Sequence, residues 1–335
     1  MRALVLTFLL VLAASTAPAK EIRISMDWAW QGGQAPFALA DQAGLFKAEG
    51  LDVVMDRGNG SVDAVTRVAG GAYDIAVGDL APMVKFDAEQ PDKAILAVLV
   101  LYDRSPLSAL ALAKSGIKQP KDLEGRIIAA PESDAGRALF PAFAKATGID
   151  LAKIKWQSVA PQLRETMLVR GDAEAITGFI TSGLFNLTGL GVKREDIVVM
   201  RYADYGVDLY GSALYLRPAF AAANPDAVKA VVRVAIKAHQ MALKDPRAAI
   251  AAMKLRDPLA DEALELQRLG LINDQLLTTE ATRANGIGTV DPARLSRMIN
   301  AIVEAYGIKT PPAPDQVYTD RFLPPAAERR LPDRL

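Results

Sequence analysis

The sequence predicts an α/β protein of two lobes, each a sheet flanked by helices, with the chain crossing between them twice. Three observations predict it. In the first 79 residues three apolar runs, Ile22 to Met26, Leu51 to Met55 and Tyr73 to Val77, are each followed by a short polar or Gly-rich turn and a helical pattern. The same alternation returns between Arg126 and Leu190. A Gly-punctuated, Tyr-rich stretch, Tyr202 to Gly211, then precedes a short apolar run, Ser212 to Leu216, placed to rejoin the first sheet.

Taken in order, Met1 and Arg2, the apolar stretch Ala3 to Ala14 and the A-x-A site Ala17-Pro18-Ala19 read as a secretory signal over residues 1–19, cleaved before Lys20. The apolar stretch is short of the roughly 20 residues a spanning helix needs. The first lobe is expected over 20–104 and 212–309, with parallel strands whose ends open on one edge and Ala94 to Tyr102 as a fourth strand. A crossing around Arg104-Ser105-Pro106 leads to the second lobe, 105–211. Its strands are expected at Arg126 to Ala130, Ile154 to Val159, Ala173 to Thr177 and Ile197 to Arg201. Helices are expected at Ser133 to Thr147, Pro161 to Arg170 and Thr181 to Leu190. After the return, Asn224 and Pro225 read as the cap and first turn of a helix that Lys244-Asp245-Pro246 stops. Further helices follow at Pro246 to Leu255, Asp261 to Leu271 and Pro292 to Tyr306, and the Pro-rich tail 310–335 is expected to wrap the surface or fray.

Composition narrows the chemistry. At 335 residues and 51% hydrophobic the chain has ample core material. Its 39 basic and 39 acidic residues balance, so no electrostatic draw toward nucleic acid exists. Cysteine is absent, which excludes disulfides, a lipid-anchored thiol and thiolate metal sites or nucleophiles. His239 is the only histidine and lies on the apolar stripe of the helix starting at Pro225, with Val228, Val231, Val232, Ala235 and Ala242. No nucleophile elbow, Walker A sequence or full dinucleotide fingerprint is present. A cofactor is therefore not expected, nor is a metal.

The turns at the strand ends carry stacking and hydrogen-bonding groups. Asp27, Trp28 and Trp30 follow the first strand; on an extended segment the two indoles share a side, where an indole face can hold a planar or cationic ligand. Gly58-Asn59-Gly60-Ser61 opens a helix and can offer backbone N–H groups, and Asp79 can accept from ligand amino groups. In the second lobe Ser133 and Asp134 occupy the equivalent turn. Phe179 and Thr181 follow the strand Ala173 to Thr177, and Tyr205 lies near the return crossing. Arg104, Arg137 and Arg164 are the candidate partners for an anion. Two lobes joined by two crossings place a cleft between them and allow hinge closure around a ligand.

Several stretches carry a family resemblance: MDWAWQGGQAPFALADQAGLFKAEGLDV (26–53), GNGSVDAVTRVAGGAYDIAVGD (58–79), DLEGRIIAAPESDAG (122–136) and GDAEAIT (171–177). In these the chain resembles the periplasmic solute-binding proteins of ABC importers in the NMT1/THI5-like group, related to those for nitrate, sulfonates, taurine and thiamine-precursor pyrimidines. The resemblance implies a type II periplasmic-binding-protein fold. It also implies that Asp27, Trp28 and Gln34 match first-loop ligand contacts of pyrimidine-binding members, Asn59 and Ser61 the second loop and Asp79 the third. Where the family usually has W-x-P-N, this chain has Trp28-Ala29-Trp30-Gln31, which enlarges the aromatic surface.

The function expected is capture of a small aromatic or heteroaromatic solute, such as a pyrimidine thiamine precursor or an aromatic carboxylate, by a periplasmic monomer that delivers it to an inner-membrane ABC permease and ATPase. Two alternatives stand beside it: binding of a sulfonate, taurine or nitrate anion, and an exported partner that presents ligand to a membrane receptor. Enzymes occur on the same fold, but the fungal pyrimidine-forming ones resembling this group use a histidine and a Cys-rich motif, so an enzyme is not expected.

Overall fold

The computed structural model describes residues 20–332; the expected signal, 1–19, lies outside the described residues. The chain order begins β1 (Lys20–Ser25), α1 (Ala35–Gln42), α2 (Leu45–Ala48), β2 (Leu51–Asp56), α3 (Ser61–Ala69), β3 (Ile75–Asp79), α4 (Leu80–Glu89), β4 (Leu96–Val100) and β5 (Leu107–Leu112). It continues β6 (Ile127–Ala130), α5 (Ala135–Thr147), β7 (Lys155–Ser158), α6 (Arg164–Arg170), β8 (Ala175–Phe179), α7 (Ile180–Gly189), β9 (Ile197–Arg201) and β10 (Ser212–Leu216). The remainder is helical: α8 (Pro218–Ala223), α9 (Pro225–Lys244), α10 (Pro246–Lys254), α11 (Glu262–Leu271), α12 (Glu280–Asn285), α13 (Pro292–Ala305) and α14 (Pro314–Val317).

Two five-stranded sheets result, β2-β1-β3-β10-β4 and β7-β6-β8-β5-β9. They are mixed rather than purely parallel. The strand that arrives from the other lobe is the antiparallel one in each: β10 runs antiparallel between β3 and β4, and β5 antiparallel between β8 and β9. The run Leu107 to Leu112, just after the expected crossing at Arg104-Ser105-Pro106 and assigned to no element from the sequence, is thus a fully buried inner strand of the second sheet. The two sheets repeat one plan, and their parallel strands end on a common edge where the ligand-type loops converge.

Two strand assignments move by two residues. β3 begins at Ile75 because Tyr73 and Asp74 are engaged sideways, the Tyr73 hydroxyl donating to Asp56 at 2.9 Å and Asp74 accepting from the Arg23 N–H at 2.9 Å. β8 likewise begins at Ala175, after Glu174 accepts from the Arg126 guanidinium at 2.6 Å. Asp79 and Phe179 therefore close their strands instead of following them.

Helices α9 and α10 cover one face of the first sheet through α1. The α9 stripe buries Val228, Val231, Val232, Ala235, His239 and Ala242 at the 3.6-residue period, and the Asp245 side chain ends it by capping α10 at the Ala248 N–H. Asn224 stands at the α9 N-cap but its side chain turns back, Nδ2 donating to Phe220 O at 2.9 Å and Oδ1 accepting from Lys20. α13 packs on both α4 and α5, bringing Leu295, Met298, Ile299 and Ile302 into a core that the two lobes share. The tail wraps rather than frays through Arg330: Tyr318 bridges to Ala97 beside β4, Phe322 is buried, and the Gln240 side chain donates to the Glu328 and Arg330 carbonyls.

His239 is packed, edge-on to Phe37 at 5.6 Å, with Nδ1 2.8 Å from Ala235 O and Nε2 without a partner. Burial pushes its pKa down to about 4, against the Ala235 hydrogen bond. The unfolded chain takes up this proton near pH 6.5 and the native one only near 4, so stability present above pH 6.5 is lost as pH falls through that window, by about 3 kcal/mol. His239→Leu should remove this component. Urea midpoints at pH 7 and pH 5 should shift less in the variant than in the parent; equal shifts would contradict the assignment.

Candidate functional site

The loops at the facing sheet edges meet. Gly60, the residue before α3, has φ 144°, and a Cβ there would stand 2.1 Å from the Ser133 carbonyl oxygen. Ser133 Oγ donates to Asn59 O at 2.7 Å, and the Val62 N–H donates to Ser133 O at 3.2 Å. A Gly60→Ala variant is expected to resist this approach through the clash plus about 1–3 kcal/mol of backbone strain. Weaker ligand binding with a cooperative melt retained is the expected readout by calorimetry and thermal denaturation.

Beside this contact lie two adjoining cavities that are narrow as the lobes stand, of ≈ 10 Å³ and ≈ 20 Å³, room for little more than a water molecule each. Asp27, Trp28, Phe179 and Ser182 line both. Gly60, Ser61, Asp134, Ala135 and Arg164 complete the smaller one; Gln34, Tyr102, Thr181, Arg268 and Ile272 are among those completing the larger.

Asp27 is buried just past β1. Its carboxylate accepts from Gln34 Nε2 at 3.2 Å and from Ser61 Oγ at 3.3 Å. Burial raises its pKa to about 6 despite those bonds. Across the cleft Asp134 caps α5 by accepting from the Arg137 N–H at 2.8 Å, and also accepts from Thr177 Oγ1 at 3.0 Å. Arg164, on α6, is 1% exposed and pairs with Asp134 at 3.2 Å and with Glu165 at 2.6 Å. Burial pushes the Asp134 pKa up while the Arg164 charge opposes it. The same guanidinium sits 5.1 Å from the ring centre of Trp28, so a second-lobe cation covers a first-lobe indole.

The structure brings together Asp27, Trp28, Gln34, Ser61, Asp134, Phe179 and Thr181 of the expected residues. Four expected ligand contacts lie elsewhere, and Ser133 spends its hydroxyl on the loop contact rather than the cavities. Trp30 is 9% exposed in the first-lobe core with the Arg256 guanidinium 5.2 Å over its ring. The extended alternation expected for 27–30 fails because the segment bends before Gly32-Gly33, aiming the indoles differently. The exposed Asn59 side chain donates to Asp63 on its own helix at 3.5 Å. Asp79 is fully buried under Ser61, its Oδ1 capping α4 at the Ala81 N–H and its Oδ2 without a partner. Burial, with Asp27 and Asp134 nearby, raises the Asp79 pKa to about 7. Tyr205 is an exposed residue edge-on to Phe143 at 5.6 Å.

Sequence reasoning missed Tyr102, Arg268 and Ile272 in the lining. Arg164 was legible only as a candidate anion partner. Its own neighbour Glu165 was the available signal that it is already paired.

The family model described as NMT1/THI5 like matches residues 31–249. The chain belongs to the NMT1/THI5-like family. Among curated relatives, this NMT1/THI5-like protein is 26% identical to the riboflavin-binding protein RibY of Chloroflexus aurantiacus over 300 residues, 87% of this chain and 82% of that one. It is 24% identical to the formylaminopyrimidine-binding protein of Halalkalibacterium halodurans, with 68% of each chain covered. It is also 26% identical to the 4-amino-5-hydroxymethyl-2-methylpyrimidine phosphate synthase of Aspergillus parasiticus, again with 68% of each covered. Among solved structures, the alkanesulfonate-binding protein SsuA of Xanthomonas axonopodis pv. citri, bound to MOPS, superimposes with a TM-score of 0.70 at 15% identity, covering 90% of this chain and 99% of that one. Relatives and structural neighbours of this NMT1/THI5-like chain are mainly solute-binding proteins, with one synthase among the relatives, and the chain shares the fold of the solved ones. No helix among the described residues is long and apolar enough to cross a membrane.

Proposed function

We propose that this protein is the exported, monomeric solute-binding component of an ABC importer, closing two lobes on a small aromatic or heteroaromatic solute and presenting it to a membrane permease. The observation that carries the reading is that Trp28 from one lobe and Phe179 from the other line the same cavities as the buried carboxylate of Asp27. The rings supply stacking faces; Asp27, held by Ser61 and Gln34, supplies an acceptor for ring amino or N–H groups.

The charge balance separates this reading from anion capture. Each cation in the lining is matched by carboxylates, Arg164 by Asp134 and Glu165 and Arg268 by Glu265. Asp27 meets no cation among its hydrogen-bond partners. A sulfonate, nitrate or carboxylate would enter a cleft with more negative than free positive charge. His239 sits behind Phe37 and outside both cavities, which leaves no histidine for a fungal-synthase-type reaction.

The test is a thermal-shift screen of residues 20–335, unfolded and refolded to strip resident ligand, against aminopyrimidines, flavins, aromatic carboxylates, sulfonates and nitrate. A ligand at about 100 times its Kd adds about 2.7 kcal/mol to native stability. A raised melting temperature with aminopyrimidines or another donor-bearing aromatic is expected. A rise only with sulfonates or nitrate would overturn the reading. Stimulation of ATP hydrolysis by the reconstituted permease, on adding loaded protein, tests the transport role against presentation to a receptor.

A further inference from the structure

One C-terminal helix touches both lobes at the cleft. Arg268, on α11, is 1% exposed and lines the larger cavity. Its guanidinium donates to the carbonyl oxygens of Thr181 and Ser182 in the first turn of α7, and to Asn186 Oδ1 at 3.0 Å. All three acceptors belong to the second lobe. Glu265, one turn earlier and also buried, pairs with Arg268 at 2.8 Å. The same carboxylate accepts from the Gly32 N–H at 2.6 Å, in the first-lobe loop that carries Trp28 and Gln34.

That loop also meets α7 directly. Gln31 Nε2 donates to Asn186 Oδ1 at 3.2 Å, and Ser182 Oγ donates to Gln31 Oε1 at 3.0 Å. The backbones are close: a Cβ on Gly32 would stand 2.7 Å from the Glu265 carbonyl oxygen.

An ion pair between residues three apart on one helix satisfies only part of its own hydrogen-bonding capacity. Here the remaining guanidinium donors are spent on the second lobe and a carboxylate oxygen on the first. With α11 moving with the first lobe, opening the cleft at this side would strip the buried Arg268 of its charge-assisted bonds to α7 while Glu265 keeps its hold on the 31–34 loop, a penalty that opposes opening. We propose that Glu265 and Arg268 form an interlobe clasp that holds the lobes closed and positions the α7 first turn against the 31–34 loop. They are positioning residues, acting through Thr181, Ser182 and Gly32. The proposal rests on the reading of the cleft as a closing ligand site, and its test uses no ligand, so a wrong ligand class and a wrong clasp give separable failures.

The chain has no cysteine, so two introduced thiols label cleanly. Asp52→Cys on β2 and Lys155→Cys on β7 place spin labels at exposed positions on edge strands of the two sheets. Double electron–electron resonance then reads the interlobe distance in the full chain. In this background Arg268→Met and Asn186→Ala are each expected to move the distribution toward longer distances, with native circular dichroism and a cooperative melt. Arg268→Lys, which keeps the charge but loses the multi-point donation, should fall between parent and Arg268→Met. A folded Arg268→Met with the parent's distribution would overturn the clasp. Should that variant fail to fold, Asn186→Ala decides alone, because it removes a half-buried partner of both Arg268 and Gln31 while leaving the ion pair intact; an unchanged distribution there overturns the proposal equally.

Discussion

Arg164→Met is expected to lose about 3–5 kcal/mol of unfolding free energy, the cost of removing one partner from a buried ionic cluster. The guanidinium satisfies Asp134 and Glu165 at once and donates to the Thr177 carbonyl at 3.1 Å, so its loss leaves two buried carboxylates uncompensated. The deficit should depend on pH with a definite sign. Burial already raises the Asp134 pKa against the Arg164 charge, and without that charge it rises further. A carboxylate whose folded pKa is raised loses stability as pH climbs, so the variant's deficit should be larger at pH 8 than at pH 5. Urea denaturation at the two values checks this; equal deficits would mean that Asp134 does not feel Arg164 as the geometry requires.

Trp28→Ala is expected to weaken ligand binding by about 1–3 kcal/mol, roughly 5- to 150-fold in Kd, with little change in melting temperature. Trp30→Ala should do the reverse, costing about 3–5 kcal/mol of stability as a large core truncation. The two indoles are two positions apart and chemically identical; only their surroundings differ, a half-buried cleft wall for one and the packed first-lobe core for the other. Calorimetric titration with the screened ligand, run beside thermal melts of both variants, separates them. Equal losses of affinity in both would sink the assignment of Trp28 as the stacking residue.

Much of the fold was legible because short apolar runs alternate with Gly-rich turns and helical periods. β10 and α9 coincide with the expected runs, and the second-lobe helices fall within a few residues. What escaped was set by partners distant in sequence. Leu107 to Leu112 has no element assigned to it from the sequence after the crossing, and only β8 and β9 flanking it make it an inner strand. Asp79 looks like a loop acceptor until β3 extends through it and buries it as a cap. At the site, Asp27, Trp28 and Gln34 lie in one loop and carry a family pattern, whereas Glu265 reaches that loop from 233 residues away. Nothing local in the α11 sequence points there. Side-chain direction was the other blind spot: spacing puts Trp28 and Trp30 side by side, and a bend before Gly32 sends them apart.

The exchange of inner strands between the sheets also dictates an order of assembly. β5 to β9 are contiguous in the chain, so the second sheet has all its strands once residue 201 has emerged. The first sheet cannot close then, because β3 and β4 do not pair with each other; β10 fills the slot between them, and it arrives last. A chain emerging from its N-terminus therefore makes its first four strands early and completes their sheet late. Until then the flanks of β3 and β4 carry open backbone groups of the kind that recruit other strands. A nascent chain halted before Ser212 should be protease-resistant in its second half and sensitive in its first, the opposite of simple N-to-C folding.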